Sequence, residues 1–162
     1  MTAPIIVTLT VNGEPVSRAV EPRLTLVDFL RDELGLKGTH VGCEHGVCGA
    51  CTLRLDGATV RGCLTFAVQC EGAEIETIEG GTDSGRLKDL QDEFVARNAL
   101  QCGFCTPGML LSAAELLEQN PAPSRDEIRE HLSGNYCRCT GYQAIIDAIE
   151  TAARKRGGLS DE

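Results

Sequence analysis

The sequence predicts an α+β fold in two parts, a small mixed sheet with one helix over residues 1–81 and an all-helical half over residues 82–162. Three observations carry this. The first stretch alternates apolar and polar residues with a turn dipeptide between the runs. Gly80, Gly81, Thr82, Asp83, Ser84 and Gly85 form a dense run of turn formers that reads as a linker. Beyond it the residue usage changes from strand-like to helical.

Ile5 to Val11 alternates as a half-buried strand does, Asn12-Gly13 is a two-residue turn signal, and Glu14 to Val20 returns as a second strand. Thr25 with Asp28 is an N-cap arrangement, after which Leu26, Phe29, Leu30 and Leu34 share one helical face until Gly35 ends it. A glycine-rich stretch from Gly38 to Gly49 precedes a second hairpin, Thr52 to Leu55 and Thr59 to Arg61 about Asp56-Gly57. Glu74 to Glu79 reads as a further strand. Four helices follow, at about Arg86 to Asn98, Thr106 to Gln119, Arg125 to Leu132 and Gly141 to Lys155, the third opened by a Ser124/Glu127 capping box.

Nine cysteines in 162 residues are an odd and unusually large number. Met1 to Ile6 carries no basic and apolar leader, and no apolar run approaches a membrane span, so a cytoplasmic protein is expected. In a reducing compartment structural disulfides are rare, which favours metal binding. The net charge of -9 opposes binding to nucleic acid or anionic lipid.

Cys43-x4-Cys48-x2-Cys51, followed by Cys63, is the plant-type [2Fe-2S] ligand spacing. Three thiolates from one short loop must converge while the backbone wraps the cluster, and Gly42, Gly46 and Gly49 supply the positive φ and the bare backbone this needs. A structural zinc site more often pairs two C-x2-C knuckles. His45 reads as an exposed loop residue rather than a Rieske ligand. Cys102-x2-Cys105 and Cys137-x-Cys139 form a second quartet, each pair standing directly before a predicted helix, whose N-terminal N–H groups favour anionic sulfur. Taken alone, this second quartet also suits zinc. Arg138 would raise a reduction potential there or make an ordinary surface ion pair, and Cys70 is left over as a small buried hydrophobe.

Three segments, 42–52 (Gly-Cys-Glu-His-Gly-Val-Cys-Gly-Ala-Cys-Thr), 101–109 (Gln-Cys-Gly-Phe-Cys-Thr-Pro-Gly-Met) and 133–142 (Ser-Gly-Asn-Tyr-Cys-Arg-Cys-Thr-Gly-Tyr), resemble the iron-sulfur subunit of the molybdenum hydroxylases, the xanthine oxidase and aerobic CO dehydrogenase family. The resemblance runs from the first hairpin to the last helix. It implies a plant-type ferredoxin-like β-grasp domain followed by a four-helix [2Fe-2S] domain, each holding one cluster. It also implies a large partner carrying molybdopterin, as the cytosine dinucleotide, and a medium partner carrying FAD. By the same resemblance the Cys102/Cys105/Cys137/Cys139 cluster lies nearer molybdenum and the Cys43/Cys48/Cys51/Cys63 cluster nearer the flavin, with Gln101 and Cys139 contacting the pterin. Gln101 also stands where a helix-terminal capping residue would. The chain has no Gly-x-Gly-x-x-Gly or phosphate loop and no length for a flavin or molybdenum domain, so it is expected to pass electrons within an oxidoreductase rather than to catalyse alone. The Glu44-His45-Gly46 form of the loop points weakly to enzymes that hydroxylate N-heterocycles.

Overall fold

A computed structural model of the chain describes residues 3–157, and the outer ends of the two predicted halves, residues 1–2 and 158–162, lie outside it. Strands β1 (Ile5–Val11) and β2 (Glu14–Val20) form the expected antiparallel hairpin, with Val11 opposite Glu14. Its turn places Asn12 and Gly13 at φ 52° and 84°, the pair of positive values that a twisted two-residue hairpin turn requires. Val7, Leu9 and Val11 point into the core while Ile6 and Thr8 face out.

Thr25 caps the following helix by accepting from the Asp28 N–H, as expected. Only Leu26–Asp28 (α1) is α-helical, and Phe29–Glu33 continues as a π-turn closed by Leu34 N–H to the Phe29 carbonyl. Strands β3 (Thr52–Leu55) and β4 (Ala58–Arg61) make the second hairpin. Strand β5 (Glu74–Glu76) enters the middle of the sheet, parallel to β1 and antiparallel to β3, giving the order β2-β1-β5-β3-β4. This mixed sheet with a helix packed on one face is the expected β-grasp arrangement. Leu26, Phe29, Leu30, Leu53 and Ile75 fill its core, joined by Cys70, which is fully buried.

The expected strand runs on to Glu79, with a linker after it. Both differ from what is found, because Ile78–Asp83 is a helix, α2. The Thr77 N–H goes to the Asn12 carboxamide oxygen at 2.9 Å instead of to a neighbouring strand, and the chain turns there into the helix. The two adjacent glycines reflect close packing. A Cβ on Gly80 would lie 2.2 Å from the Asn12 side chain, and one on Gly81 would lie 2.6 Å from Leu87. A glycine pair that makes room for neighbours looks, in sequence, like one that makes a hinge.

Helices α3 (Lys88–Ala96), α4 (Thr106–Gln119), α5 (Arg125–His131) and α6 (Gln143–Arg156) follow close to expectation. The capping box forms: Ser124 Oγ accepts from the Glu127 N–H while the Glu127 carboxylate accepts from the Ser124 N–H. Leu90, Phe94, Met109, Leu111, Ile128 and Ile145 are among the buried residues of a second core between these helices. The division at residue 81 therefore falls inside α2.

Helix α4 docks on β3 and β4 through charged groups. Arg54 donates to both oxygens of Glu118 at 2.8 Å, Arg86 joins Glu118 to Glu76, and the Glu115 carboxylate accepts from the Thr59 N–H and hydroxyl. The hydrogen bond from Arg54, then the positive charge of Arg54 and Arg86, hold the Glu118 carboxyl below its ordinary value against the effect of burial. A depressed carboxylate stabilises the fold above the ordinary value near 4.5 and loses that contribution as the pH falls through the lowered one. Thermal unfolding of Glu118→Gln against the parent at stepped pH should show the parent ahead at neutral pH, with the gap closing below about pH 4.5.

Candidate metal centres

The segment between α1 and β3 carries three of the first four cysteines on a loop with no regular structure. Glu44, Gly46 and Gly49 take φ values of 58°, 83° and 73°, so successive N–H groups turn inward. Gly42, read from the sequence as a positive-φ position, is not one; its bareness matters because a Cβ there would sit 3.0 Å from Cys48 Sγ. The Cys48 N–H donates to Cys43 Sγ at 3.4 Å and the Ala50 N–H to Cys48 Sγ at 3.5 Å. The N–H groups of Cys48 and His45 lower the Cys43 thiol to about 6. Cys63 arrives from the far end of the β3–β4 hairpin, where the Gly62 N–H bonds the Cys51 carbonyl at 3.0 Å. Cys51 is buried, which raises its thiol to about 11, and the neighbouring Cys63 and Cys48 add to the rise. His45 is exposed, as expected of a loop residue.

In the helical half Cys105 is the N-cap of α4, with Pro107 in its first turn. Burial pushes the Cys105 thiol up to about 12, with Cys137 and Cys102 adding to it. The second pair does not stand directly before its helix, as the sequence suggested. Tyr142 takes a left-handed φ of 69° and delays α6 to Gln143, while its hydroxyl accepts from the Cys137 N–H at 2.8 Å. Burial would raise the Cys137 thiol, but the Thr140 hydroxyl, donating to its sulfur at 3.1 Å, and nearby N–H groups outweigh this and lower it. Cys139 Sγ lies 3.5 Å from Cys102 Sγ, and both residues are exposed. Gln101 is not a helix cap: its Nε2 donates to the Cys139 carbonyl at 3.0 Å, which brings together the two residues singled out for pterin contact. Arg138 is exposed.

The predicted cysteines lie near one another in pairs, Cys102 with Cys139 at 3.5 Å, and side-chain hydrogen bonds link Cys43 with Cys48, Cys51 with Cys63 and Cys105 with Cys137. A tetrahedral metal with bonds of about 2.3 Å sets two thiolate sulfurs roughly 3.8 Å apart, close to the spacing of the Cys102–Cys139 pair. Among the described residues no three Cys, His, Asp or Glu side chains are grouped so that they could hold a single ion. Two pairs would supply one pair of thiolates to each iron of a four-cysteine binuclear cluster.

Sequence reasoning missed the polar seam between the two loops. Asn135, buried at 3% exposure, and its neighbour Tyr136 bond directly to the loop of the first quartet, and the Gly134 carbonyl accepts from Arg61 at the end of β4. Asn135 stood in a quoted motif, but nothing in its spacing marked it as buried. His40 stacks on Phe104 with ring centroids 4.6 Å apart, a second bridge between the loops.

Residues 9–81 match the family described as 2Fe-2S iron-sulfur cluster binding domain, and residues 77–150 match the one described as [2Fe-2S] binding domain. The chain is 54% identical over 147 residues to the nicotine 6-hydroxylase small subunit of Paenarthrobacter nicotinovorans, covering 91% of this chain and 88% of that one. It is 53% identical over 151 residues to the caffeine dehydrogenase subunit gamma of Pseudomonas sp. (strain CBB1), covering 91% and 90%. Among solved structures, quinoline 2-oxidoreductase from Pseudomonas putida 86 superposes with a TM-score of 0.89 at 54% identity, over 98% of this chain and all of that one. With two cysteine quartets on the two matched domains, the chain belongs to the iron-sulfur small subunits of the molybdenum hydroxylases, electron-transfer components of oxidoreductase complexes.

Proposed function

We propose that Cys43, Cys48, Cys51 and Cys63 hold one [2Fe-2S] cluster and Cys102, Cys105, Cys137 and Cys139 the other. The two matched [2Fe-2S] binding domains, each containing one of the quartets, support this reading. A bound cluster of this kind accepts and releases one electron at a time. The chain's own work is to hold the thiolates, direct N–H and hydroxyl donors at them, and keep the two loops in contact. The two separate cores support a division of labour between a part of about residues 1–81 and one of about residues 82–162.

The second quartet faces a large subunit carrying molybdopterin cytosine dinucleotide, with Gln101 and Cys139 reaching the pterin. The exposure of Cys102, Cys139 and Gln101, beside exposed Phe104 and Tyr136, supports a partner on that side. The first quartet faces a medium subunit carrying FAD, and exposed Val47, Leu64 and Phe66 near its loop give an apolar surface for docking. The relatives' names, nicotine, caffeine and quinoline, support a nitrogen heterocycle as the substrate class. The complex works in the cytoplasm, in keeping with the thiol-rich sites; no helix among the described residues is long and apolar enough to cross a membrane.

Purification from the native source under gentle conditions tests this reading. Co-elution with two larger chains, with molybdenum and flavin in the same peak, is the expected result. A red-brown chain that elutes alone, as a free shuttle would, overturns it.

A further inference from the structure

We propose that Asn135 is a positioning residue that sets the spacing of the two cysteine quartets, and with it the coupling between the centres they hold; this rests on the reading under Proposed function. Asn135 lies two residues before Cys137, in the short segment that links α5 to the second quartet, and it is buried. Its carboxamide nitrogen donates to the Gly49 carbonyl, between Cys48 and Cys51, and to the Thr52 hydroxyl, both at 3.2 Å. Its oxygen accepts from Ser112 Oγ on α4, the helix capped by Cys105, at 3.0 Å. One side chain, carried on the segment that leads to Cys137, therefore touches the loop of the first quartet, the start of β3 and the helix capped by Cys105.

The neighbours of Asn135 bridge the same gap. The next N–H, that of Tyr136, donates to the Cys48 carbonyl at 2.8 Å, so a single hydrogen bond joins the residue beside Cys137 to a ligand of the other quartet. The preceding carbonyl, that of Gly134, accepts from Arg61 at 2.9 Å. There is no slack in this seam: a Cβ on Gly108 would fall 2.3 Å from the Gly49 carbonyl oxygen. A buried amide with both donors and its acceptor engaged holds one geometry, whereas an apolar side chain there would take the acceptor from the Ser112 hydroxyl and leave the Gly49 carbonyl bonded only within its own strand entry, to Thr52. A residue that merely filled the core would affect stability; one that sets spacing must also affect how strongly the two centres sense each other.

The test is electron paramagnetic resonance on dithionite-reduced holoprotein, with iron counted in the same samples, for Asn135→Ala and Ser112→Ala beside the parent. The parent should show two [2Fe-2S] signals split by magnetic interaction. Asn135→Ala should keep both signals and the parent's iron while the splitting shrinks and broadens, since dipolar coupling falls with the cube of the separation. Full iron with the parent's splitting would overturn the assignment. Where Asn135→Ala also loses iron, Ser112→Ala decides, because this hydroxyl touches no cysteine. Full iron with weakened splitting in Ser112→Ala carries the assignment; unchanged splitting, or loss of iron, overturns it. A parent without two clusters would instead defeat the functional reading itself.

Discussion

Cys48→Ser is expected to remove the cluster of the first quartet and leave that of the second, so that iron falls from about four to about two per chain, two for each four-cysteine site. Cys137→Ser should do the reverse. Cys48 sits at the middle of the loop's sulfur contacts: it neighbours Cys43 and accepts from the Ala50 N–H. The helical half keeps its own buried core, from Leu90 and Phe94 to Ile145 and Ile149, which does not depend on that loop. The retained centre therefore has a folded scaffold. Iron and acid-labile sulfide assays, with the spectrum of each reduced variant, distinguish the two sites. Equal loss of both signals in either variant would mean that the seam through Asn135 makes the halves fold as one unit.

Gly49→Ala should be the most damaging change that leaves every ligand in place. Gly49 has φ 73°, where a residue with a Cβ costs about 1–2 kcal/mol. The added carbon would also lie 2.4 Å from the Gly134 carbonyl oxygen, across the seam from the second quartet. Forcing an atom into such a packed site costs a further 1–3 kcal/mol or so. The sum, about 2–5 kcal/mol, corresponds to a fall of roughly 4–20 °C in Tm for a chain of this size. Gly103→Ala is the matched control: its φ is 80°, yet nothing lies within 4 Å of the added carbon. It should cost only the backbone part, and equal losses in the two variants would show that the seam is looser than its contacts imply.

The cysteine spacing was legible because ligand chemistry leaves few choices. Three thiolates at x4 and x2, with glycines between them, prefigured the first loop, and the pairs Cys102/Cys105 and Cys137/Cys139 prefigured the second. The hairpin at Asn12-Gly13 and helix α4 were legible from local signals that tertiary contacts did not override. Helix α2 was not, since Gly80 and Gly81 are glycines to accommodate Asn12 and Leu87, partners distant in sequence or invisible before folding. The delayed start of α6 was hidden for a similar reason: Tyr142 gives up helical geometry while its hydroxyl bonds the Cys137 N–H. Asn135 escaped notice because a buried, fully bonded amide and an exposed loop amide look alike in sequence.

The most direct test of the central claim is paramagnetic resonance of the dithionite-reduced protein, with iron and sulfide determined on the same sample. Two distinct [2Fe-2S] signals with about four irons per chain are the predicted result. One signal with about half that iron, or a colourless protein reconstituted with iron and sulfide to no effect and holding only zinc, would contradict it.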